Sequence, residues 1–63
     1  MDEFEQAARD NIDRHIGDVC TGDDDLDVIR DEAWTLAHDG AVDAGANHNR
    51  ACEIAWKVTE ELY

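Results

Sequence analysis

Apolar residues return every three or four positions along most of this 63-residue chain, and no proline interrupts them. That period lays side chains along one stripe of an α-helix, the default element where no proline breaks the pattern. With about 100 to 150 residues usual for a domain, the whole chain, residues 1–63, is expected to be one small all-α domain.

Three segments carry the pattern. In the first, Phe4, Ala8, Ile12 and Ile16 recur every four residues, with Val19 three further on. Asp2 followed by Glu5 is a capping-box-like start, and Gly17 or Gly22 can supply the stop, which predicts a helix over about 3–16. In the second, Leu26, Ile29, Ala33, Leu36 and Gly40 alternate spacings of three and four. With Asp23 or Asp24 as cap and His38 and Gly40 as closing signals, this predicts a helix over about 24–39.

The third start is ambiguous. Ala51, Ile54, Ala55, Val58 and Leu62 define an apolar face, and Asn47 or Asn49 could cap a helix beginning near 48. The spacing also continues upstream through Ala41, Ala44 and His48, and Gly45 inside a helix costs only about 1 kcal/mol. The longer version, about 42–62, is favoured by the continuous heptad, with a tight turn at Asp39-Gly40-Ala41. Its small seam residues would let the second and third helices approach closely as an antiparallel hairpin. The expected architecture is a three-helix bundle, a short N-terminal helix docked on that hairpin.

Charge narrows the roles. Seventeen acidic residues against five basic ones give a net charge of −12, which on a folded surface of roughly 4,000 Å² is about one negative charge per 340 Å². A nucleic-acid binder needs a basic stripe, and Arg9, Arg14, Arg30, Arg50 and Lys57 are scattered among acids, so direct nucleic-acid binding is not expected. The same charge disfavours an anionic membrane face, and no apolar run reaches the roughly 20 residues of a spanning helix. The first residues, Met1-Asp2-Glu3-Phe4-Glu5, lack the pattern of a secretory signal, so a soluble cytoplasmic protein is expected.

Asp outnumbers Glu 11 to 6 and Arg outnumbers Lys four to one. That composition resembles proteins of salt-in halophiles, such as haloarchaea and their viruses and plasmids, whose self-repulsion is screened because the Debye length falls to about 3 Å at 1 M salt. The competing explanation is mimicry of a phosphate backbone, which would inhibit a nucleic-acid-binding protein through Asp23, Asp24, Asp25, Asp27 and Asp31. A mimic should align its carboxylates on one face, whereas here they spread along the chain. Acids in a helix's first turn also complement its dipole. Nonspecific cation binding at such a surface is expected.

A core drawn from small apolar residues is thin for a chain this short. Cys52, Trp56, Thr59 and Tyr63 form a second stripe on the third helix, and Trp34 sits beside the seam of the second. Either the first helix covers these residues, or they stay partly exposed and form an association surface, since Trp and Tyr dominate interface hot spots. A homodimer through them would also supplement the core.

Cys20 and Cys52 are expected as free buried thiols in a reducing compartment. His15, Cys20, His48 and Cys52 are the metal-like set: His48 and Cys52 lie four apart on a helix, and His15 with Cys20 would complete a tetrahedral Cys2His2 site for zinc. No C-x2-C pair supports it, so no cofactor is expected, and the simpler roles are a seam residue for His48 and a helix-dipole partner for His38. Calcium loops fail as well. From Asp23 the template's Gly and Glu positions hold Val28 and Trp34, and from Asp39 they hold Ala44 and Arg50.

The chain has no serine and no phosphate loop. The acidic surroundings would raise a thiol's pKa, and so small a bundle offers little volume for a pocket of about 300 Å³ or more. The sequence therefore predicts a non-enzymatic accessory protein acting by protein–protein association. A DNA-mimic inhibitor is the alternative, and a zinc-stabilised module the third.

Overall fold

The computed structural model describes residues 2–20 and 24–63. It is a three-helix bundle of α1 (Glu3–Val19), α2 (Leu26–Asp43) and α3 (His48–Leu62). Asn11 meets Leu36 while Ala7 meets Gly40, so α1 and α2 run antiparallel. Trp34 meets Trp56 while His38 meets His48, so α2 and α3 do too. With 17 and 15 residues in α1 and α3, the N-terminal helix is not the short one.

Each boundary has a local cause. Asp2 caps α1 by accepting from the Phe4 N–H at 2.8 Å, while Glu5 sends its carboxylate to Lys57 at 2.6 Å. The helix runs through Gly17 to Val19, past the expected stop near 16, because Gly17 keeps a helical φ and the Cys20 N–H closes the last turn on the Ile16 carbonyl. Gly22 and Asp23, the other expected stop and cap, lie outside the described residues. Asp25, rather than Asp24, occupies the N-cap position of α2.

The largest departures lie between α2 and α3. Gly40 does not end α2; it is buried within it. The stop comes at Gly45, whose φ of +111° is a backbone conformation that residues with a Cβ rarely adopt. Ala46 N–H bonds to the Ala41 carbonyl and Gly45 N–H to that of Val42, each at 3.0 Å, which is a Schellman closure. Ala46, 8 % exposed, joins the same buried cluster as Ala41. Asn47 then caps α3 by accepting from Arg50 N–H at 2.8 Å. The expected helix over 42–62 is thus replaced by α2 ending at Asp43 and α3 starting at His48. The continuous heptad did not outweigh two strong local signals, a left-handed glycine and an Asn cap.

The close approach occurs at α1 against α2, not in the α2–α3 hairpin. A Cβ on Gly40 would lie 2.7 Å from the Ala7 carbonyl oxygen and 3.1 Å from the Ala8 Cα, so only glycine admits α1 there. Asn11 Nδ2 donates to the Leu36 carbonyl at 2.7 Å beside it.

Among the described residues, seven of the ten in the apolar core are alanine, and Ile12, Ile54 and Val58 are its three larger members. Burial near 25 cal/mol per Å² therefore supplies little per residue. The parallel α1/α3 seam adds ion pairs instead: Asp2 with Arg50, Glu5 with Lys57, and Arg9 with Glu61. The Phe4 N–H, and then Arg50, hold the Asp2 carboxyl below its ordinary value, while the hydrogen bond that Lys57 donates to Glu5 raises the Lys57 ammonium. No helix of the described residues is long and apolar enough to cross a membrane.

Candidate functional site

The α2/α3 seam carries the side chains that core packing leaves over. Trp34 stacks on His38 one turn along α2, with ring centroids 5.4 Å apart and planes at 16°. Its other side meets the edge of Trp56 at 5.7 Å and 64°. His38 in turn meets His48 edge-on at 5.3 Å, and His48 Nε2 lies 3.7 Å from Cys52 Sγ. The result is one ribbon of five side chains, Trp56, Trp34, His38, His48 and Cys52, running along the seam.

Toward the tryptophan end the seam opens into a groove of about 490 Å³ lined by Asp27, Arg30, Asp31, Trp34, Trp56 and Thr59. This exceeds the volume expected of so small a bundle. The two indoles meet edge to face here instead of interlocking as alanines do. Trp34 Nε1 and Thr59 Oγ1 are both buried and find no hydrogen-bond partner among the described residues. Buried polar groups ordinarily find one, and leaving such a group unmet costs about 1 to 3 kcal/mol.

The expected association residues therefore separate. Trp56 is 59 % exposed, Trp34 is half-buried, and Thr59, at 2 % exposure, lines the groove from beneath instead of presenting a free surface. Cys52 belongs to the histidine end of the ribbon. Tyr63 is 39 % exposed at the C-cap of α3, outside the groove lining. The stripe is not covered along its length, since Trp56 and Tyr63 stay exposed while Thr59 is buried.

Of the acidic set, Asp23 lies outside the described residues and Asp24 is half-buried, while Asp25, Asp27 and Asp31 are exposed. They form no uninterrupted acidic face, because Arg30 lines the groove between Asp27 and Asp31 and exposed Leu26 and Val28 stand among them.

The metal-like set also rearranges. His48 and Cys52 do come together, but with His38 as the third member. His15 is exposed on α1 and Cys20 is half-buried at its C-cap, and neither belongs to that cluster. Burial, together with Asp24 and Glu32, pushes the Cys20 thiol above its ordinary value. Both cysteines are free and half-buried, not fully buried. His48, exposed at the first position of α3, meets the seam at its solvent edge through His38, and His38 lies within α2, more than a turn before its end. Sequence spacing could not find His38, because its partners sit on another helix across a turn the heptad conceals.

No protein-family model matches the sequence, and comparison with curated proteins and with solved structures gives no match.

Proposed function

We propose that this chain is a small acidic, non-enzymatic association module that pairs with a second copy of itself through the Trp34–Trp56 face. The observation that carries the reading is a 59 % exposed tryptophan beside a groove containing two unpartnered buried polar atoms. An interface at this face removes the exposed Trp56 indole from water.

Three further points favour a second copy as the occupant. The core is mostly alanine, and pairing is a recognised supplement for a domain this small. A two-fold interface must be self-complementary, and Arg30 flanked by Asp27 and Asp31 allows each chain to offer its cation to the other's carboxylates. A standard interface takes about 800 Å² per partner, a fifth of the 4081 Å² exposed here.

The groove lining contains no nucleophile and base in hydrogen-bond contact, which supports a binding role over a catalytic one. Two chains of charge −12 repel in dilute buffer, so pairing should strengthen as the Debye length contracts from about 10 Å at 0.1 M salt to about 3 Å at 1 M. The acid-rich, lysine-poor composition suits the same high-salt setting.

Molar mass measured by sedimentation at both salt concentrations tests this. The expected result is a dimer at high salt that Trp56→Ala converts to a monomer with unchanged helical circular dichroism. A wild-type chain that stays monomeric at both concentrations overturns the reading. Salt-sensitive competition with DNA for a binding protein would support the mimic instead.

A further inference from the structure

We propose that His38, His48 and Cys52 form a binding site for one Zn2+ ion, joining α2 to the first turn of α3. His38 Nε2 lies 3.3 Å from His48 Nδ1, and Cys52 Sγ lies 3.7 Å from His48 Nε2. Taking one ligand atom from each residue, all three fall within 4.8 Å of one another. A tetrahedral zinc with bonds of about 2.0 Å to nitrogen and 2.3 Å to sulfur places its ligand atoms about 3.3 to 3.6 Å apart. A contraction of about 1 Å at the longest edge is therefore enough. His48 can provide it, because its ring is exposed and turns a different nitrogen to each neighbour.

The surroundings suit a metal ligand set. His38 directs Nε2 into the cluster while its Nδ1 faces the Asp39 carboxylate at 3.7 Å. A carboxylate behind the distal nitrogen is the arrangement that orients metal-bound histidines and increases their basicity. Trp34 stacked on His38 restricts that ring further. Two imidazoles and a thiolate select zinc and its late first-row neighbours over calcium or magnesium, which take oxygen ligands. Cys52 binds as the thiolate, its proton passing to solvent. Three protein ligands leave the fourth position of the tetrahedron to water.

The experiment is titration of the reduced, metal-free protein with Co2+ and then Zn2+. The expected result is one Co2+ per chain with a thiolate-to-cobalt charge-transfer band, bleached by one equivalent of Zn2+ and accompanied by quenching of tryptophan fluorescence on Co2+ binding. Cys52→Ser should abolish the band, while Cys20→Ser and His15→Ala leave it intact. His48→Gln, at an exposed position, should weaken Zn2+ binding at least as much as Asp39→Asn, for which about 10-fold is expected. Circular dichroism on each variant separates lost ligation from lost folding. The proposal is overturned if no thiolate band forms, if the band survives Cys52→Ser, or if Cys20→Ser removes it. Because the readout is the metal's own spectrum, it stands or falls independently of dimerisation.

Discussion

The two faces of α2 solve opposite packing problems. Against α1, glycine and alanine let one backbone settle on the other, and the Leu36 carbonyl is met by the Asn11 amide within the chain. Against α3, the upper seam is held by two indoles in edge contact, a groove remains, and two polar atoms go unmet. Small side chains close a helix pair at the expense of apolar burial, whereas large ones bury more surface but leave gaps unless their shapes interlock. The closed face serves as scaffold, and the open one is the face the proposed pairing would use.

Breaking the closed face should produce the largest effect. Gly40→Ala drives a methyl into the Ala7 carbonyl and the Ala8 backbone. Because backbone cannot swing aside, a loss of about 3 kcal/mol is expected in urea unfolding, the upper part of the range for overpacking.

The open face should respond with the opposite sign. Thr59→Val removes the unmet hydroxyl while keeping the shape, so the isolated monomer should gain about 1 kcal/mol. A loss of similar size in the monomer would mean that the hydroxyl has a partner within the chain.

Gly17→Ala is the control for Gly40. It too is a glycine inside a helix, but nothing lies within 4 Å of its would-be Cβ. Only backbone entropy and propensity are left, so about 0.5 to 1 kcal/mol of stabilisation is expected in the same measurement.

The smallest effect concerns the α1/α3 seam and is read from pH. Asp2 has its folded pKa depressed by the cap bond and Arg50, so its contribution is present above the unfolded value and is lost as pH falls through the folded one. Lys57, raised by Glu5, is the mirror case: its contribution is present below its unfolded value and is lost as pH rises through the folded one. Asp2→Asn should therefore shorten the fall of the urea midpoint as pH drops below the ordinary carboxylate range, relative to wild type.

The absence of proline and the fourfold spacing of Phe4, Ala8, Ile12 and Ile16 made the all-helical reading and three segments legible. Asp2 as a cap and Asn47 as an alternative start for the last helix were legible for the same reason: both are local, set within a turn of chain. What misled was Gly40. As a glycine near the end of a pattern it looks like a stop, yet its function depends on Ala7 and Ala8, more than thirty residues away. The site was legible by half: Trp34 and Trp56 stand out as residues the charge pattern does not explain, and His48 with Cys52 share a helical face.

Composition and period thus determined by themselves that this chain is acidic and helical with a core of small residues, because charge is additive and amphipathic period is a property of consecutive residues. Tertiary structure alone decided which glycine bends and which one packs, that His38 rather than His15 or Cys20 joins His48 and Cys52, and that the tryptophans border a groove. Those outcomes depend on helix register across a turn, and a one-residue change in where α2 ends rotates every later side chain by about 100°.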